Sequence, residues 1–227
     1  MKSNTKFDTK KIVGTAIFAA TAYVVALVCN VIPPIAGFLS LDVKDAVIAI
    51  AAFVYGPVSG VAIALIAAAL ELFTFSTTAW YGFIMNFASS AVFALTASLI
   101  YKFKRTLNGA LIGFLAAVAM TTGVMLLLNT FVTPLYLTYF VGMPADGAGE
   151  MVRELLPSVL LPFNFAKALL NASCALLLYK PLISALSRAG LITGRTGGFT
   201  FNKNSVIILI IGGVCLAASI VIIAILA

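Results

Sequence analysis

Long uninterrupted apolar runs constrain this chain more than any other feature. Residues 12–31 and 205–227 each continue without a charge for roughly 20 residues, the length an α-helix needs to cross a hydrocarbon core about 30 Å thick. Lipid offers no hydrogen-bond partners, so a chain crossing it must satisfy its backbone internally, and a helix does this within one segment. Charged residues make up 9% of the sequence and hydrophobic residues 63%, whereas a soluble domain carries roughly 25% charge. The reading is an all-α integral membrane protein with about six or seven crossings, short loops and no separate soluble domain.

Pro, Gly and charge positions divide the chain. A first span covers residues 12–31 and stops before Pro33-Pro34, followed by a loop over 33–44 carrying Asp42 and Lys44, with Asp45 next to it. Residues 46–55 and 58–73 flank Gly56-Pro57, which reads as a short helix and a fuller one joined by a tight turn, with a kinked re-entrant pair as the alternative, since proline breaks a helical hydrogen-bond ladder. A Ser/Thr-rich loop over 73–79 leads to a span at 80–101, and another span covers 109–132. Residues 133–157 hold several Gly and Pro with four charges and read as a long loop with few helical turns. A sixth span covers 158–179, a basic Gly-rich segment 182–204, and a last span 205–227.

The net charge of +7 is topological in origin. Lys2, Lys6, Lys10, Lys11, Lys102, Lys104, Arg105, Lys180, Arg188, Arg195 and Lys203 fall on one side if six crossings precede residue 182, opposite Lys44 and Arg153. Cytoplasmic loops carry the excess of Lys and Arg, so the N terminus is expected in the cytoplasm. The same clustering between apolar runs argues against a nucleic-acid partner.

Lys167 is the most informative single residue, because it lies near the middle of the sixth span. A lysine at that depth costs about 2.5–3.5 kcal/mol on insertion scales, so it must face protein or water. Asn164 and Asn171 stand three and four residues away on the same helical face. Asn129, Asn86, Ser89, Ser90 and Glu71 fall in the outer halves of their spans. Together these positions describe a polar pocket open to the outside, with Glu71 either a counter-ion for Lys167 or solvated at the interface. For the asparagines and serines the competing reading is hydrogen bonding between helices. The first span also holds Ala16-x-x-x-Ala20 and Ala22-x-x-x-Ala26, a spacing that lets helices approach closely, with internal packing as the plainer account.

Several chemistries fail on residue type. The chain has no histidine, which removes a Ser–His nucleophile and a histidine-rich metal site. Cys29, Cys174 and Cys215 lack metal-ligand spacing. No phosphate-binding G-x-x-x-x-G-K-[ST] loop occurs, so driven transport would need a partner that hydrolyses ATP. No enzyme activity and no cofactor are expected.

Four stretches carry a resemblance to a known family: residues 11–25 with Ala16-x-x-x-Ala20; Leu41-Asp42-Val43-Lys44-Asp45; Phe53-Val54-Tyr55-Gly56-Pro57-Val58-Ser59-Gly60; and Leu128-Asn129-Thr130-Phe131 through Pro134-Leu135-Tyr136 with Leu161-Pro162-Phe163-Asn164-Phe165-Ala166-Lys167. The chain resembles the substrate-binding S components of energy-coupling-factor vitamin transporters, and among them the riboflavin-specific members. The resemblance implies a six-helix bundle that binds riboflavin from outside, with the loop after the first helix forming part of a lid. It implies as partners a transmembrane coupling protein and two cytoplasmic ATPases, the coupling protein meeting Ala16 and Ala20. Flavin contacts carry over to Asn129, Asn164 and Lys167, and the polar pocket adds Asn86 and Glu71 as candidate ligands. The expected organisation is a six-helix substrate-binding domain over 1–185, a basic cytoplasmic linker over 186–204 and an additional transmembrane helix over 205–227, which departs from the family pattern. Flavin mononucleotide, another vitamin, or a ligand-free scaffold role stand as alternatives.

Overall fold

The computed structural model describes residues 9–188 and 203–226. Its elements are α1 (Thr9–Cys29), α2 (Lys44–Tyr55), α3 (Pro57–Thr74), α4 (Ala79–Phe103), α5 (Leu107–Tyr139), α6 (Ala145–Leu155), a π-helical turn at Leu156–Leu160, α7 (Leu161–Arg188) and α8 (Lys203–Leu226). Among the described residues six stretches are long and apolar enough to cross a membrane: α1, α3, α4, α5, Ala145–Tyr179 and Val206–Leu226. Helix α2 has 12 residues, roughly 18 Å at 1.5 Å per residue, too short to span alone. It runs antiparallel to α3 across Gly56, whose φ of 98° suits glycine. Pro57 opens α3, where its missing N–H removes no helical bond.

Helix α1 shows how small residues set the packing. Gly14, Phe18, Ala19, Ala22 and Ala26 face inward, and a Cβ at Gly14 would lie 2.0 Å from the Tyr55 hydroxyl. The two alanine pairs of this helix therefore differ. Ala22 and Ala26 pack inside the bundle, while Ala16 and Ala20 lie exposed on the opposite side. Helices α4 and α5 cross closely at Gly113, where a Cβ would stand 2.7 Å from the Ala97 carbonyl oxygen.

Two apolar clusters stack along the bundle. The larger includes Phe18, Ile48, Ile50, Ile63, Phe93, Phe114, Val118 and Ala172, with Phe53 stacked on Tyr101 at a ring separation of 4.2 Å. The smaller cluster joins Ile35 and Leu39 of the α1–α2 loop to Leu137, Ala148, Val152, Leu160 and Phe163. Along α5 and α7 the chain passes from one cluster to the other through Asn129, Asn164 and Lys167, so a polar layer separates them.

Three expectations change. The segment 133–157 is not a long loop: α5 continues through Pro134 to Tyr139, and α6 is amphipathic. Burial of Thr133 and Leu137 in α5, and of Ala148 and Val152 in α6, holds helix where Gly and Pro disfavour it. Of the charges expected in the loop, Lys44 and Asp45 open α2, and Asp42, Lys44 and Asp45 are buried at 5%, 2% and 3% exposure. Of the expected basic linker over 186–204, residues 186–188 are the last turn of α7, 203–204 begin α8, and 189–202 lie outside the described residues. Helix α8 packs along α7, with Gly212 3.5 Å from Leu177 at its ideal Cβ.

Candidate functional site

A cleft with about 80 Å³ of free volume opens among α4, α5, α7 and the α1–α2 loop. Small-molecule pockets combine apolar walls with a few placed polar groups. This cavity fits that description. Phe38, Tyr81, Met85, Met125, Tyr136 and Phe163 supply walls, and Asn86, Asn129, Asn164 and Lys167 supply polar groups. Four of the five expected ligand residues thus meet in one cavity, although they come from three helices and are up to 81 positions apart (167 minus 86).

Each polar group is held by its own helix or by a neighbour. Asn129 donates from Nδ2 to the Met125 carbonyl at 2.7 Å, and the Thr133 hydroxyl donates to its Oδ1 at 2.7 Å. Asn164 donates to the Leu160 carbonyl at 2.7 Å. An amide has two N–H donors and an oxygen with two lone pairs, so both residues retain donor and acceptor capacity for a solute. Asn86 donates to Glu71 Oε2 at 2.9 Å. Lys167 Nζ donates to the Ser40 carbonyl at 2.9 Å and to Asp42 Oδ2 at 2.7 Å, which leaves a third N–H.

Glu71 stands behind this cavity, outside its lining. Its carboxylate faces Lys44 at 2.7 Å, and with Asp42 and Asn86 it borders a separate small recess. Glu71 is therefore the counter-ion of Lys44, and Lys167 has Asp42 instead. Asp42 lies in the α1–α2 loop. Burial alone would raise its carboxyl, but the charges of Lys167 and Lys44 outweigh this and hold it at about 2. Ser90 on α4 donates to Asp45.

Asn171 belongs to the scaffold. Its Oδ1 accepts the Ala46 backbone N–H at 2.9 Å, and its Nδ2 donates to the Asp42 carbonyl at 3.0 Å. The first N–H groups of a helix lack intrahelical partners, and the N-cap residue of α2, Val43, offers them no side-chain acceptor, so Asn171 of α7 takes that of Ala46. The shared helical face of Asn164, Lys167 and Asn171 is present, with two residues in the cavity and one below it.

Asp42 and the aromatic walls are the site residues that sequence reasoning missed. The signal for Asp42 was available: Lys167 requires a partner, and three charges within four residues are conspicuous in a chain with 9% charge.

Comparison with known proteins agrees with this architecture. The model of a family described as "ECF transporter, substrate-specific component" matches residues 10–183. The chain is 33% identical over 180 residues to the riboflavin transporter RibU of Staphylococcus aureus (strain TCH60), covering 79% of this chain and 93% of that protein. It is 27% identical over 163 residues to the riboflavin transporter FmnP of Bacillus subtilis (strain 168), covering 70% and 85%. A solved S component of a bacterial ECF transporter superposes with a TM-score of 0.61 at 30% identity, covering 79% of this chain and 98% of that one. Helix α8 lies beyond the region matched by the family model. This chain belongs to the substrate-specific components of ECF transporters, a family of multi-pass membrane proteins that work in transport with an ECF module and not as enzymes.

Proposed function

We propose that this protein is the riboflavin-binding subunit of an ATP-driven ECF vitamin importer. The observation that carries the reading is the convergence of Asn86, Asn129, Asn164 and Lys167 on one aromatic-walled cavity. An isoalloxazine ring presents carbonyl oxygens, ring nitrogens and one N–H along its edge, which amides and an ammonium match. Its faces match aromatic and thioether walls. The names of the relatives, riboflavin transporters in two organisms, support the same solute.

The remaining assignments belong to this proposal. The binding domain covers residues 1–185, with 186–204 as a cytoplasmic linker and 205–227 as an additional membrane helix. The N terminus is cytoplasmic, as the distribution of Lys and Arg favours. The α1–α2 loop covers the cavity mouth through Phe38, Leu39 and Ser40. The partners are a transmembrane coupling protein and two cytoplasmic ATPases. The coupling protein docks on the exposed face of α1 at Ala16 and Ala20, where small side chains permit close helix approach. Riboflavin is cargo, and no resident cofactor is assigned.

The absorption spectrum of the detergent-purified protein tests the solute class. A co-purifying flavin band, regained by adding riboflavin after its removal, is expected. A protein that never acquires such a band would exclude riboflavin.

A further inference from the structure

We propose that Asp42 is a positioning and specificity-determining residue of the cavity: it holds Lys167 in place, cancels its charge, and so fits the site to an uncharged flavin and against a phosphate-bearing one. This rests on the flavin reading given above.

Lys167 is the single cation among the residues lining the cavity. Its ammonium is fixed on the α1–α2 loop by two contacts, Asp42 Oδ2 at 2.7 Å and the Ser40 carbonyl at 2.9 Å. Asp42 is in turn fixed from below, because Asn171 donates to its carbonyl oxygen and the Lys44 N–H donates to its Oδ1 at 3.2 Å. Asp42 is not required to balance Lys44. That lysine stands 3.6 Å from Asp42 but 2.7 Å from Glu71. Each buried lysine therefore has its own carboxylate, and Asp42 belongs to the one that faces the cavity.

The consequence for the solute follows from charge. A phosphate monoester carries about −1.5 to −2 at neutral pH, and an anion taken out of water needs opposite charge close by. The sole cation of the lining is already neutralised, and Asp42 adds a carboxylate just behind it. The cavity is polar without a net positive field. Amides and a paired ammonium suit the neutral edge of a flavin ring and leave a phosphate unmatched.

Asp42→Asn isolates this effect, since an amide oxygen still accepts a hydrogen bond from Lys167 but no longer cancels its charge. Riboflavin and flavin mononucleotide are titrated against the wild type, Asp42→Asn and Asp42→Glu by quenching of flavin fluorescence. The expected result is that Asp42→Asn raises the affinity for flavin mononucleotide relative to riboflavin by at least about tenfold, while Asp42→Glu keeps the wild-type ratio. An unchanged ratio in Asp42→Asn, with riboflavin still bound, would overturn the proposal. Thermal unfolding of Asp42→Asn, Lys167→Met and the double variant reads the pairing without any flavin. Each single change should lower the unfolding temperature more than the double change does, and strictly additive effects would also overturn the proposal. If the wild type binds neither flavin while the unfolding data are non-additive, the flavin reading fails and the Asp42–Lys167 pairing stands.

Discussion

Ala20→Leu and Ala22→Leu make the same isobutyl-for-methyl enlargement two residues apart on α1, with different expected consequences. Ala22 is 0% exposed and sits in the main apolar cluster, so the added carbons have no space. Overpacking a close-packed core typically costs about 1–3 kcal/mol. At roughly 2–4 °C per kcal/mol for a chain of this size, the unfolding temperature should fall by about 2–12 °C. Ala20 is exposed, and substitutions at such positions usually stay within about 0.5 kcal/mol. Its enlargement should leave folding and flavin binding intact but prevent close approach of a partner helix. The assay pairs thermal unfolding of the isolated subunit with co-purification of the ECF module. The reasoning predicts that Ala20→Leu loses the module at unchanged stability. Equal destabilisation by both variants, or normal assembly of Ala20→Leu, would refute it.

Gly113→Ala should destabilise by about 1–3 kcal/mol, because its Cβ would meet the Ala97 carbonyl at 2.7 Å, whereas Gly123→Ala, with nothing within 4 Å, should be neutral or slightly stabilising; thermal unfolding compares them. The carboxyl of Asp42 is held at about 2, below its ordinary 3.8, so its contribution to stability is complete above the ordinary value and lost as pH falls from there towards 2. Unfolding temperatures measured across that acid range should decline less in Asp42→Asn than in the wild type. A chain ending at residue 188 should keep flavin affinity, because α8 lines no part of the cavity; equilibrium titration of the shortened protein checks this.

Much of this architecture was legible because lipid imposes a simple rule on the chain. Charge-free runs marked α1, α4 and α8, and Gly56-Pro57 marked the α2–α3 turn. The insertion cost of Lys167, taken together with Asn86, Asn129, Asn164 and Glu71, pointed to a polar pocket, and the cavity is lined by all of these except Glu71. The failures share another physical origin. Pro134, Gly147 and Gly149 lower local helix preference, yet α5 and α6 form there because contacts with the smaller apolar cluster outweigh propensity. Asp42, Lys44 and Asp45 read as loop charges because they stand in a short segment between apolar runs. Their burial depends on Lys167, Glu71, Ser90 and Asn171, partners 27 to 129 residues away (71 minus 44 and 171 minus 42), whose convergence no local pattern encodes. Likewise, the two alanine pairs of α1 are equivalent in spacing, and only packing separates an inward pair from an outward one.

The central claim is that the cavity bounded by Asn129, Asn164 and Lys167 is the riboflavin site. Its most direct test is equilibrium titration of riboflavin into the purified wild type, Asn129→Ala, Asn164→Ala and Lys167→Met, followed by quenching of flavin fluorescence. Each variant removes a hydrogen-bonding group to a buried solute, a loss of about 1–3 kcal/mol. The account predicts saturable quenching at one flavin per protein in the wild type and affinity weakened roughly 5- to 150-fold in each variant. Saturable binding in the wild type that all three variants retain unchanged would contradict it and place the flavin elsewhere in the bundle.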